Sequence, residues 1–263
     1  MKNKIVFIDV DGTLVNDDGI IPKSAEIAIK KARSNGHYMF LCTGRSKAEL
    51  FDNIINIGFD GIIGAAGGYI EFMDKVIMHK KIKSDDIKHL VNYFNENNID
   101  FYLESNGGLF ASKNCKKRLR KLISDSYFID CLIEGEDLIR NDVNKISFLG
   151  SPISIEIIQK EFGEKFNIIS STVPAFGENS GELSVPGIHK ATAIEILLKH
   201  LHLPKEDTFA YGDGINDTEM LQYVNIGIAM GNANDKLKAI ADDVTDSHDE
   251  NGIYNSFKKY KLI

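Results

Sequence analysis

Two acidic clusters have the residue types and spacing for chemistry. Asp9 and Asp11 sit in KIVFIDVDGTL, residues 4–14, and Asp213 and Asp217 sit in Gly212-Asp213-Gly214-Ile215-Asn216-Asp217. Each cluster follows a short apolar run. Ile5–Ile8 is mostly β-branched and too short for a helix, so it reads as a strand buried on both faces with Asp9 at its carboxyl end. With a side-chain period of two, Asp9 and Asp11 point to the same side if the chain stays extended, and Gly12 lets it turn beyond them. Taken alone, Asp-Val-Asp-Gly also fits a plain turn. The second cluster, after Phe209-Ala210-Tyr211, favours chemistry: two strand ends carrying carboxylates call for a cation between them. Oxygen ligands with no Cys or His beside them select Mg²⁺ over zinc.

The elements that must position these groups can be read in chain order. Residues 24–35 carry Ile27, Ala28, Lys31 and Ala32 at helical spacing, between Pro22 and Gly36. Tyr38–Cys42 is a second strand, ending in Thr43-Gly44-Arg45. Glu49 and Leu50 follow in a helical pattern, so Thr43 is either a helix cap or a phosphate-binding hydroxyl at a helix amino terminus, or both. Residues 61–68 read as a third strand. Alternating strands and helices imply a parallel α/β sheet, whose ligands bind outside the strands' carboxyl ends.

From about Lys83 the rhythm changes to α+β. A helix is marked by Ile87, Leu90, Val91 and Phe94; a hairpin turns at Asn106-Gly107-Gly108; further strands are expected at 146–149, 168–171 and 182–185, with a helix at 153–162. The basic run Lys116-Lys117-Arg118-Leu119-Arg120-Lys121 reads as a solvated helix face. Lys190 then opens a helix with the stripe Ala193, Ile194, Leu197, Leu198 and Leu201. A lysine there opposes the helix dipole, which suggests a functional role, although an exposed lysine is the plainer reading. His189, His200 and His202 lack ligand spacing and read as surface residues.

The chain has 263 residues, 43% hydrophobic, enough for one large domain or two modest ones. A net charge of −7 argues against a nucleic-acid-binding surface. Asp9 interrupts the first apolar run after four residues, so it is neither a signal peptide nor a membrane span, and no later segment approaches a span. Cys42, Cys115 and Cys131 are too widely spaced for CxxC chemistry and fit a reducing, cytoplasmic compartment. A cysteine phosphatase would need an arginine six positions after its nucleophile, where this chain has Ala48, Lys121 and Asp137.

Asp9 to Thr13, Thr43, Lys190 and Gly212 to Asp217, in this order and with a large insert before the lysine, resemble the haloacid dehalogenase superfamily of phosphohydrolases, and the insert looks like that of its Cof-type branch with a type IIB cap. The resemblance implies a Rossmann-like α/β core of residues 1–82 and 188–263 and an α+β cap of 83–187 acting as a lid. It implies Asp9 as nucleophile, Asp11 as general acid/base, and Thr43, Gly44, Lys190 and Asn216 around the transferring phosphoryl group. It further implies Mg²⁺ on Asp9, Asp213 and the Asp11 backbone carbonyl, with Asn216 and Asp217 completing the phosphate and metal shell directly or through water. The chain differs from the branch at Ala66-Gly67-Gly68, where Asn-Gly-Ala is frequent, and at Ala191, where a glycine often follows the lysine. The expected activity is Mg²⁺-dependent hydrolysis of a small phosphorylated metabolite such as a sugar phosphate, with Tyr102, Glu104 and Asn106 as cap residues that could set specificity. The alternatives are a sugar phosphomutase of the same superfamily and a phospho-accepting signalling module; Asp11 and the insert count against the module. Oligomeric state is not legible.

Overall fold

Alternate residues of Ile5–Ile8 go to opposite faces of one sheet, which is why four apolar residues occur in a row. Val6 and Ile8 pack against the helices Lys23–Ser34 and Gly252–Lys259, through Ala28, Ile29, Ala32, Ile253 and Phe257. Ile5 and Phe7 pack on the other face against Lys190–Leu201 and Thr218–Tyr223, through Ala193, Ile194, Leu197, Met220 and Leu221. The computed structural model describes residues 3–16, 18–135, 137–171 and 173–263.

The sheet order is Asp243–Val244, Ile226–Ala229, Thr208–Gly212, Ile5–Ile8, Tyr38–Cys42, Gly61–Gly64, Tyr69–Phe72 and Lys75–His79. The first six strands pair in parallel, and Tyr69–Phe72 turns back antiparallel on Gly61–Gly64. This is an α/β, Rossmann-like core with helices on both faces.

Two local expectations are corrected. The third strand ends at Gly64, because Ala65 and Ala66 adopt left-handed backbone (φ 50° and 52°) and begin a 3-10 turn, Ala65–Gly67. No helix starts at Thr43: the next elements are a 3-10 turn at Lys47–Glu49 and a single turn of helix at Asp52–Ile55. The readings of Thr43 as a cap, or as a hydroxyl at a helix amino terminus, therefore fail.

The chain divides into two compact units. The first comprises Met1–Gly44, Leu50–Met78 and His189–Ile263; the second comprises Arg45–Glu49 and His79–Ile188. The breaks fall at 78/79 and 188/189 rather than 82/83 and 187/188. Arg45–Glu49 goes with the second unit, which no sequence pattern indicates.

The second unit is a six-stranded sheet in the order Asn167–Ser170, Gly181–Ser184, Val143–Leu149, Asp100–Ser105, Leu109–Ala111 and Leu132–Glu134. Phe101, Leu103, Ile146 and Phe148 face the helices Ser84–Glu96 and Ile155–Phe162. On the opposite face, Tyr102 and Leu149 meet Cys115, Leu119 and Ile129 from Cys115–Leu122 and Ser126–Cys131. The basic run lies in the first of these two helices. Its Lys116 donates to Leu132 O at 2.8 Å, Arg118 to Gly150 O at 2.8 Å, and Arg120 pairs with Asp130.

A charged group is buried on this second face. Lys145 Nζ lies 3.1 Å from Glu104 Oε2 and 3.4 Å from Glu182 Oε2, and Ser147 Oγ donates to Glu104 Oε1 at 2.7 Å. Burial, then the charge of Glu49, pushes the Glu104 carboxyl well above the usual range, against the pull of Lys145. Removing one member of a buried ion pair strands the other. Lys145→Met should therefore cost about 3 kcal/mol at pH 8. The cost should shrink at pH 5, where a proton can neutralise Glu104. Urea unfolding at the two pH values measures this, and an unchanged midpoint at pH 8 would exclude a stabilising pair.

Candidate active site

Three adjacent parallel strands end at one level, since Ile8 is in register with Tyr211 on one side and Leu41 on the other. The residues just past these ends are Asp9, Gly212-Asp213 and Cys42-Thr43, so sheet register alone gathers groups 200 residues apart. One carboxylate oxygen each from Asp9, Asp213 and Asp217 can be chosen so that all lie within 4.8 Å of one another.

Lys190 enters this group from the first position of its helix. The preceding residue, His189, has its N–H bonded to Thr192 Oγ1 at 3.0 Å, which caps the helix start. Lys190 Nζ donates to Asp9 Oδ1 at 2.6 Å and to Asp217 Oδ1 at 2.5 Å. It is 2% exposed, so it is not the exposed lysine of the plainer reading. Asp217 has a second anchor: its Oδ2 accepts the N–H groups of Asp213 at 3.1 Å and Gly214 at 3.0 Å.

The electrostatics follow from three carboxylates and one ammonium in a buried space. Burial, then the Asp217 charge, raises the Asp9 carboxyl well above its usual range, although Lys190 pulls it back. Burial pushes Asp213 up to about 6, opposed by a hydrogen bond from Thr13. Burial works against the Lys190 ammonium, but Asp217 and Asp9 outweigh it and hold the lysine charged. The donor set is all oxygen and carries excess negative charge, which fits a hard divalent cation such as Mg²⁺.

Asp11 does not join the carboxylate group. The extended geometry ends after Ile8, and the chain turns at Val10, whose carbonyl accepts from Leu14 at 2.9 Å and Val15 at 2.8 Å. The Asp11 side chain is exposed, yet close enough for its charge to raise both Asp9 and Asp213. Thr43 is fully buried; its N–H donates to Ile63 O at 2.9 Å and its carbonyl accepts from Ala66 at 3.1 Å. A Cβ on Gly44 would lie 4.0 Å from Asn216 Nδ2, so these two candidates are neighbours. In the second unit Tyr102 and Glu104 are buried, while Asn106 is partly exposed and accepts from Asn144 at 3.2 Å. His189, His200 and His202 are exposed, and all three cysteines are free.

Sequence reading missed two polar contacts. Thr13 Oγ1 donates to Asp213 Oδ1 at 2.8 Å, and Asn232 Nδ2 donates to Gly12 O at 2.7 Å. Thr13 stood inside the first motif, so its hydroxyl was a usable signal; Asn232 carried none.

The haloacid dehalogenase-like hydrolase family matches residues 6–257. The chain belongs to this family. Phosphatase YwpJ of Bacillus subtilis (strain 168) is 29% identical to it, over 97% of this chain and 99% of that protein. The same organism's 5-amino-6-(5-phospho-D-ribitylamino)uracil phosphatase YcsE is 27% identical, over 98% and 96%. The solved structure of BT4131, a sugar phosphatase of subclass IIB, matches with a TM-score of 0.78 and 26% identity, over 99% of this chain and 100% of that one. The chain is thus a haloacid dehalogenase-type enzyme of the Cof-type, subclass IIB kind, a phosphoric monoester hydrolase.

Gly12 shows how closely the two motifs of this hydrolase approach. Its φ is +77°, and a Cβ there would lie 2.2 Å from Asp213 Oδ2. Left-handed backbone alone costs an alanine about 1–2 kcal/mol. Gly12→Ala should lose more than that in urea unfolding with chelator present, because Asp213 must also move. A loss within that range would mean that Asp213 yields freely.

Proposed function

We propose that this hydrolase is a Mg²⁺-dependent phosphatase of the cytoplasm. It acts on a small phosphorylated polyol or sugar and forms an aspartyl-phosphate on Asp9. The observation that carries this reading is the Lys190 ammonium between Asp9 and Asp217, with Asp213 beside them. A phosphomonoester brings two negative charges to a nucleophile that is itself negative, so a fixed cation is required. The polyol class is supported by the relatives, since one is named for a phosphoribityl compound and another is a sugar phosphatase. Among the described residues no helix is long and apolar enough to cross a membrane.

In this reading an Asp9 oxygen attacks phosphorus and the ester P–O bond breaks, while Asp11 protonates the leaving oxygen. Water then attacks the acyl phosphate, giving its proton to Asp11 and releasing inorganic phosphate. Lys190 draws the raised Asp9 carboxyl back toward its ionised form and, with Thr43, Gly44 and Asn216, binds the phosphoryl oxygens. Asp9, Asp213 and the Asp11 carbonyl would hold Mg²⁺, and Asp217 would hold it directly or through water. Bound there, the ion supplies charge neutralisation to the phosphoryl oxygens. The exposed position of Asp11 suits a group that exchanges protons with leaving group and water. The second unit is the proposed source of substrate choice.

Chelator should abolish phosphate release and Mg²⁺ should restore it, and full activity in excess chelator would sink the reading. The pH dependence follows from Asp213, whose carboxyl is raised to about 6 without metal. A raised carboxyl favours the folded apo protein when protonated, so that contribution is present below about pH 4 and lost as pH rises through about 6. Mg²⁺ needs the ionised form, so its affinity should be level above pH 7 and fall steeply below about 6. Titration calorimetry from pH 5 to 8 checks this, and a flat profile would contradict it.

The two aspartates should also separate kinetically. Asp9→Asn should eliminate turnover of every substrate. Asp11→Asn should be far more damaging for alkyl phosphates, whose leaving alkoxide needs a proton, than for p-nitrophenyl phosphate. With the latter, Asp11→Asn protein should accumulate an acid-precipitable phosphoenzyme on rapid quenching. Equal losses for both substrates and no trapped phosphate would rule out this division.

A further inference from the structure

The Gly12 N–H is bonded to Val15 O at 2.9 Å within its own loop, but the Gly12 carbonyl is bonded to a distant part of the chain, Asn232 Nδ2 at 2.7 Å. Asn232 lies in the turn after Ile226–Ala229, and its Oδ1 accepts the His248 N–H at 3.3 Å. Both ends of the amide are engaged, which settles its orientation. The turn is itself seated on residues 246–248. Gly231 N donates to Asp246 O at 3.1 Å, and a Cβ on Gly231 would come within 2.5 Å of Ser247 N.

We propose that Asn232 is a positioning residue of this hydrolase, acting through the Gly12 carbonyl to orient the loop of Asp9, Asp11 and Thr13. Gly12 is the residue of that loop least restrained by its own sterics. Its carbonyl direction sets the plane of the Gly12–Thr13 peptide. That plane places the Thr13 hydroxyl 2.8 Å from Asp213 on one side and bounds the Asp11 backbone on the other. Asn232 is exposed, so water can replace the hydrogen bond at little cost in stability, but water cannot hold the carbonyl in one direction. The contribution is therefore to geometry more than to stability, and misplacement of about 1 Å in such a loop can cost on the order of a hundredfold in rate.

The inference rests on the phosphatase reading, and paired variants test it. Asn232→Asp keeps the acceptor for His248 but turns an oxygen toward the Gly12 carbonyl, whereas Asn232→Ala removes both contacts. Both should lower kcat for p-nitrophenyl phosphate by about tenfold or more, with KM within about twofold, and Asn232→Asp should be the worse. Melting temperatures should stay within about 2 °C of wild type. Hydrogen exchange in peptides covering residues 9–16 should quicken in both variants even in chelator. If wild type releases phosphate and both variants keep its kcat, Asn232 has no such role. A kcat loss that tracks a large fall in melting temperature, with exchange faster throughout the chain, would reduce it to a structural tie. A wild type inactive on every phosphomonoester tested would remove the phosphatase reading and this inference with it.

Discussion

The arrangement depends on one ammonium held among carboxylates at the ends of parallel strands. Lys190 contacts Asp9 and Asp217 at once, and Asp213 adds a third carboxylate. Burial makes such an imbalance costly, and the raised Asp9 and Asp213 carboxyls are its direct expression. A site of this kind is poised for a cation and an anion together. In the proposed reading a bound ion would relieve the excess carboxylate charge, so that a phosphoryl group would meet cations rather than bare oxygens.

The glycines of both motifs have a common reason that turn chemistry alone does not supply. A Cβ on Gly12 would meet Asp213, one on Gly212 would meet Asp217 at 2.5 Å, and one on Gly214 would meet Asn216 Oδ1 at 2.3 Å. Each glycine leaves room for a polar side chain of the second motif. Only Gly12 of the three has positive φ, so for Gly212 and Gly214 the requirement is space. Gly67 extends the pattern: a Cβ on it would lie 2.6 Å from the carbonyl oxygen of His189, next to Lys190. Close backbone approach is what allows four charged groups to share one small space.

These relations explain what could be read from the chain and what could not. Ile5–Ile8 and Tyr38–Cys42 were legible because a parallel strand buried on both faces leaves an unbroken apolar run. The helix at Lys190 was legible from its stripe, and the order of polar clusters along alternating elements pointed to the strand ends. Residues 61–68 were misread because Ala65 and Ala66 look compatible with a strand, while their left-handed backbone is imposed by contacts such as Ala66 N–H to Thr43 O. The helix expected after Thr43 failed because Leu50 and Ile54 are buried by tertiary packing rather than by a continuous stripe. Asp11 left the carboxylate group because the turn at Val10 breaks the two-residue period. Asn232 was invisible because its partner is a backbone carbonyl 220 residues away.

The second unit provides an internal comparison. Lys145, like Lys190, is a buried lysine facing carboxylates, yet among the described residues its partners do not gather three carboxylates within 4.8 Å as Asp9, Asp213 and Asp217 do. Lys145 and its partners project from mid-strand positions of an antiparallel sheet, where neighbouring backbone groups are used in the ladder. Ser147 occupies one Glu104 oxygen, and a raised carboxyl lets a proton absorb the remaining charge. Asp9 and Asp213 instead follow the last ladder positions, where backbone N–H groups are released to hold Asp217 and a carbonyl can face a ligand. A buried lysine among carboxylates is therefore tied into the ladder in one unit and lies beyond the ladder's end in the other. Position along the strand, more than residue type, separates a buried network from a site.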